Sequence, residues 1–218
     1  MSFAGPGGRA LQSTGLVLGA VAQAGLSYLS FRHPRYFWVL MTLGLSACGL
    51  PGLRRLRDEP QRASVRGLGL GVLAGVAGYG ITAAGAAVAG HWPFGRRSLD
   101  RFRECSQSVP RPLAAVLVIP AAVGEELFWR DSVLGRQLSP PADSQFRRLV
   151  GSTLAYAAVQ AGSLQPLPPL GALLLGAGAG WIRLRSGSIW PAVAAHLAYS
   201  ELSLVAPGLP GSGKMPPK

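Results

Sequence analysis

Two adjacent glutamates, Glu125 and Glu126, lie in the second half of an otherwise apolar stretch, and Arg130 follows four residues after the second. Acidic groups in a membrane-type segment are costly, so they are paired or functional as a rule. On a helix the two glutamates leave the axis about 100° apart, so they do not aim at one point. Arg130 shares the face of Glu126. The simplest structural reading is a hydrogen-bonded Glu126–Arg130 ion pair that allows both charges to be buried. Glu125 is then left as a candidate general base. The same spacing of four recurs twice downstream, in Tyr156 with Gln160 and in His196 with Ser200. Three such pairs on three apolar helices would converge on one polar cavity of a bundle. There a carboxylate could take a proton from water, while imidazole and hydroxyl donors stabilise an oxyanion. A second reading remains open at this point, in which the Glu/Arg cluster is only an ion-pair lock near a helix end.

Metal chemistry has little support. Of the three histidines, His33 and His91 fall at the ends of apolar segments, and only His196 accompanies the glutamates. A catalytic zinc usually takes three protein ligands, and no H-E-x-x-H pair occurs. No metal and no cofactor are therefore expected. Cys48 and Cys105 have no spacing that would make them a metal or redox pair.

The elements that must hold these residues are membrane helices. The chain has 218 residues, 49% hydrophobic and only 14% charged. A soluble domain carries about 25% charge. The 30 glycines and 18 prolines sit inside apolar runs, which argues against collagen and disorder. Apolar segments are read at 11–30, 36–50, 67–92, 112–130, 149–164, 167–182 and 188–206. The expectation is an all-α, polytopic transmembrane bundle of six to eight spans, with seven the best count. Residues 54–66 and 131–148 read as polar connections, 1–10 as a Gly-rich lead, and 95–111 as polar with a weak surface-helix pattern. Gly67, Gly71 and Gly75 recur every four residues. That spacing permits close helix contact, but plain packing in lipid is the reading adopted.

The net charge is +12, and 19 of the 21 basic residues are arginines. They fall between apolar segments, as membrane loops do, and not on a face with aromatic platforms. No nucleic-acid partner is expected. With seven spans and Arg130 left out, 11 basic residues lie on the N-terminal side and 9 opposite, too even a split to set orientation.

GEELFWR at 124–130, with HLAYS at 196–200, resembles the CAAX protease and bacteriocin-processing (CPBP, or Abi) family of intramembrane endopeptidases. LLLGAGAGWIRLRSGSIWPAVAAHLAYSEL at 173–202 is similar to that family's last two core helices. The resemblance divides the chain into N-terminal spans and loops at 1–111, a catalytic core at 112–206 and a flexible tail at 207–218. It also implies a membrane-tethered or lipidated peptide as substrate, a lipid bilayer as surroundings and a bacterial inner membrane as location. Its motifs place the water-activating glutamate at Glu125, the second glutamate at Glu126 and the arginine at Arg130. Phe-x-x-x-His falls on Tyr156 and Gln160, and His-x-x-x-Asn/Asp falls on His196 and Ser200. Gln160 and Ser200 thus depart from the pattern. Gln160 can orient water but cannot share a proton as histidine does. Ser200 can still donate one hydrogen bond. A non-catalytic relative that binds peptides, confers immunity or scaffolds partners is the runner-up. A transporter has no inverted repeat to support it. Oligomeric state is not legible.

Overall fold

Helices account for nearly all of the described residues, because apolar segments in lipid must satisfy their own backbone groups. A computed structural model describes residues 6–58, 61–137 and 145–205. The tail expected to be flexible, 207–218, lies outside these. The helices are α1 (Pro6–Arg32), α2 (Phe37–Asp58), α3 (Val65–Ala89), α4 (Pro93–Ser106), α5 (Arg111–Glu126), α6 (Gln145–Gln160), α7 (Leu167–Ser186) and α8 (Trp190–Val205). Short 3₁₀ turns, Pro34–Tyr36 and Ala161–Ser163, join α1 to α2 and extend α6.

Local chemistry sets the ends. Ser64 caps α3 by accepting from the Gly67 N–H at 3.0 Å. Proline stands in the first turn of α4, α5 and α7, where its missing N–H costs nothing. Gly187 ends α7 at φ +67°, a left-handed conformation that an L side chain would strain. Beyond Glu126, α5 widens into a π-helical stretch, Leu127–Gln137. Such stretches often mark functional sites.

The structure is an all-α protein with several long apolar helices. Among the described residues, five segments are long and apolar enough to cross a bilayer: Ser13–Arg32, Pro34–Arg57, Val65–Ala89, Arg111–Gly135 and Leu167–Ser186. Their outer faces are apolar, with Leu18, Val21, Leu43, Leu73, Val116 and Leu170 all exposed. Patches of this kind fit lipid, not water.

Several boundaries differ from the sequence reading. The lead is helical from Pro6, and α2 runs through Arg54, Arg55 and Arg57 to Asp58, so most of the expected loop at 54–66 is helix. Pro51 lies inside α2 and does not end it. Residues 131–137, read as a connection, continue α5. Their polar content hid a helix in which Asp131 and Ser132 find partners. Residues 93–106 form α4, with Ser98, Leu99 and Cys105 turned inward and Arg96, Arg97 and Glu104 outward.

The glycine face of α3 also requires a correction. Gly71 and Gly75 are buried, and a Cβ at either would strike the carbonyls of Pro191 and Ala195 on α8. This is a close helix contact rather than plain packing in lipid. Gly75→Leu is expected to destabilise the protein by about 1–3 kcal/mol through overpacking. Gly69→Leu, which meets open space, is the control. Thermal unfolding in detergent checks the pair; equal midpoints would contradict the contact.

Cys105 has no exposed surface. Burial pushes its thiol pKa up to about 11, with Arg101 opposing and Glu104 adding to the rise. A raised pKa means less thiolate. Alkylation of Cys105 by iodoacetamide at pH 8 should therefore run roughly two orders of magnitude slower in the folded protein than after unfolding. Mass spectrometry of the labelled peptide reads the difference.

Candidate active site

The glutamates are positioned by backbone contact. Gly124 of α5 faces Gly49 and the Leu45 carbonyl of α2 so closely that neither glycine has room for a Cβ. This crossing brings the end of α5 into the bundle centre just before Glu125 and Glu126. From the start of α5, Glu125 lies about 21 Å along the axis. Glu125 is 4% exposed, Glu126 0%, Arg130 1% and His196 7%.

Three helices supply the polar groups that meet there. Arg130 Nε lies 3.2 Å from Glu126 Oε2, one turn back on the same chain. The contact is an ion pair, but it lacks hydrogen-bond geometry, which corrects the expected hydrogen-bonded pair. Arg130 instead donates through Nη2 to the Leu175 carbonyl on α7 at 3.3 Å, and its guanidinium lies 4.8 Å from the centre of the Tyr156 ring. The stronger partner of Glu126 comes from α8, where His196 Nδ1 stands 2.9 Å from Glu126 Oε1.

Glu125 stays outside the ion pair with Arg130 and has partners of its own. Gln160 Nε2 donates to its Oε1 at 3.1 Å. Its Oε2 lies 3.8 Å from His196 Nε2. His196 thus stands between the two carboxylates, one on each ring nitrogen. The structure therefore brings Glu125, Glu126, Arg130, Gln160 and His196 together. They form a continuous run of contacts from Gln160 through Glu125, His196 and Glu126 to Arg130. A pocket adjoins them between α3, α7 and α8, lined by residues that include Gly75, Gly78, Leu175, Ala195 and Tyr199. Ser200 is half-buried and, among the described residues, makes no hydrogen bond to the cluster. No group of three or more His, Cys, Asp or Glu is placed to hold a metal ion, among the described residues.

Two residues of α1 were missed by the sequence reading. Ser27 Oγ donates to Gln160 Oε1 at 3.1 Å, and Gln23 Oε1 accepts from Trp129 Nε1 at 2.8 Å. The signal was present as a fourth polar i, i+4 pair in an apolar span. Uncharged residues at 23 and 27 carry no obligatory cost there, so the pair passed as tolerated.

A second buried network was missed as well. Asp131, 2% exposed, accepts from Arg55 Nη2 at 3.1 Å and from Gln61 Nε2 at 3.3 Å. Arg55 also reaches Ser132 Oγ, and Ser132 donates to the Leu127 carbonyl at 3.0 Å. Gln61 in turn accepts from the Ile189 N–H at 2.8 Å, just ahead of α8. The π-helical turn is thereby tied to both α2 and the entry of α8.

These features define a helical membrane protein with a buried cluster of two carboxylates, a guanidinium, an amide and an imidazole. Residues 107–201 match the family described as type II CAAX prenyl endopeptidase Rce1-like. No curated protein and no solved structure matches the chain. The matched segment holds every member of the cluster above.

The Glu126–Arg130 contact yields a stability test. Arg130→Ala would leave a buried carboxylate without its counter-charge, at a cost of about 3–5 kcal/mol. Chemical denaturation of the purified variant in detergent measures it. Unchanged stability would mean that His196 alone compensates Glu126.

Proposed function

We propose that this chain is an intramembrane endopeptidase that hydrolyses a peptide bond of a membrane-tethered or lipidated peptide by glutamate-activated water. The observation that carries the reading is the placement of His196, with Nδ1 on Glu126 and Nε2 toward Glu125. Glu126, partnered by Arg130, accepts the Nδ1 proton and so fixes how the imidazole is held. Glu125 has one oxygen occupied by Gln160 and the other turned toward Nε2. A water hydrogen-bonded to Glu125 would lose a proton to that carboxylate as its oxygen attacks the scissile carbonyl carbon. In its doubly protonated form, His196 can offer Nε2–H to the developing oxyanion. The four charges of Glu125, Glu126, Arg130 and this imidazolium cancel. Glu125 then returns the proton to the leaving nitrogen as the C–N bond breaks, giving a carboxylic acid and an amine, between which the remaining proton then redistributes. Ser200 is assigned a supporting oxyanion donor, a role it would take up only once substrate rearranges the site.

We read α6 and α8 as the sixth and seventh membrane helices. At 16 residues each they extend about 24 Å, against about 30 Å of hydrocarbon. Tilt does not help a short helix, so local thinning or flanking turns would complete them. A bacterial inner membrane is the proposed location, on the family resemblance.

Gln160 favours a second reading. An amide cannot take a proton, so a relative that binds peptides without cleaving them also fits this position. One experiment separates the two. Cleavage of a membrane-tethered reporter peptide, with and without a prenyl group, is followed for the unaltered protein, Glu125→Gln and Gln160→His. Glu125→Gln keeps the shape and removes the base, and should lower the rate by about 10²–10⁴-fold. Gln160→His should hold or raise the rate. Undiminished cleavage by folded Glu125→Gln would end the mechanism. No cleavage of either substrate by the unaltered protein would favour the binding reading.

A further inference from the structure

We propose that Ser27 of α1 is a positioning residue that anchors Gln160 on one oxygen of Glu125 and so leaves the other as base, a proposal that rests on the endopeptidase reading above. Ser27 lies outside the segment that matches the family, and it is 2% exposed. Its hydroxyl donates to Gln160 Oε1 at 3.1 Å, and Gln160 Nε2 donates to Glu125 Oε1, also at 3.1 Å. The three side chains form a directed chain across α1, α6 and α5.

The direction follows from the amide. A glutamine side chain has one accepting end and one donating end. A hydroxyl donor at the accepting end leaves the donating end for Glu125. Turned over, the amide would set its oxygen against a carboxylate oxygen and its NH₂ against the Ser27 hydroxyl. The first contact places two acceptors together in a buried site, where an unmet polar group is expensive. The carboxylate, which only accepts, sets the way the amide faces, and the Ser27 hydroxyl anchors its far end so that Nε2 stays on Glu125 Oε1. The other oxygen, Oε2, is the one that faces His196 Nε2 at 3.8 Å, where water and substrate would have to meet.

A histidine at position 160 would carry a donor to Glu125 on a rigid ring. Gln160 has a rotatable amide, and a second residue is needed to set it. Ser27 supplies what the substitution at 160 removes. Gln23, one turn earlier on α1, works alongside by holding Trp129, whose ring centre lies 5.4 Å from that of Tyr156.

The test combines kinetics with a double-mutant cycle. In the tethered-peptide assay, Ser27→Ala should lower kcat about tenfold, the scale of one hydrogen bond to a charged group, and leave KM unchanged. Ser27→Thr keeps the hydroxyl and should restore the rate. In a Gln160→Leu background, Ser27→Ala should have no further effect, because the amide it sets is gone. Unchanged kcat in folded Ser27→Ala, or multiplicative losses in the double variant, would overturn the proposal. If Ser27→Ala does not fold, Ser27→Cys, nearly isosteric and a poor donor, is read by the same criteria. The cycle is also measured as thermal midpoints, independent of activity. Should the unaltered protein cleave nothing, the endopeptidase reading fails, and with it the role given to Glu125. The midpoints then still decide whether the chain of hydrogen bonds exists. Shifts that add up fully would overturn it, and a double variant less affected than the sum would support it.

Discussion

Two carboxylates on consecutive residues, both buried in a membrane-type bundle, are the constraint on which the rest of the site depends. Each ionised carboxylate costs several kcal/mol to bury, and each also repels the other. Consecutive helix positions diverge, so Arg130, on the face of Glu126, does not pair with Glu125 as well. The structure adds partners from other helices. Arg130 and His196 Nδ1 meet Glu126, while Gln160 and His196 Nε2 meet Glu125. Among the described residues, the imidazole contacts both carboxylates, through its two ring nitrogens. His196 therefore links the two glutamates in addition to their direct repulsion.

Keeping these partners in register requires α5 to be fixed along its length. On one side of the glutamates, Gly124 and Gly49 lock α5 to α2 at backbone distance. On the other side, the π-helical turn carries Arg130 and Asp131 in succession. Arg130 turns inward to α7, and Asp131 engages Arg55 of α2 and, through Gln61, the start of α8. The α3–α8 glycine contact then holds α8 from its outer face, on the helix that carries His196. Little of this depends on strong pairwise attraction. It depends on close packing, which permits few arrangements of buried polar groups.

The legible part of the site was its charged part. Glu125, Glu126 and Arg130 stand out because ionised groups are rare in apolar segments, and Gln160 and His196 could be found by the repeat of the same spacing. What sequence could not supply was the partner of each group. Helical spacing favoured Arg130 as the partner of Glu126, whereas the shorter contact comes from His196, 70 positions away. Gln23 and Ser27 went unread because a neutral polar side chain in a span has no necessary meaning until something faces it. The same holds for Gly71 and Gly75, whose spacing allowed a contact that only the neighbour could establish. At 131–137 the failure ran the other way. Polar content was read as a loop, because the residues that bury Asp131 lie in α2 and near α8 and cannot be seen from its own segment.

The position of Ser27 bears on how much of the chain the site requires. Residues 107–201 contain the carboxylates, the guanidinium, the amide and the imidazole, and would be sufficient if each side chain had one available orientation. Gln160 has two, related by rotation of its amide, and they differ by exchanging a donor for an acceptor at Glu125. The carboxylate of Glu125, which only accepts, favours one of them, and a hydroxyl from α1 anchors the amide at its far end. Together with the α2 contacts at Gly124 and Asp131, this ties the N-terminal helices to the matched segment on both sides of the glutamates. Under the role proposed for Ser27, the place of the amide on Glu125 depends on α1 remaining packed against α6.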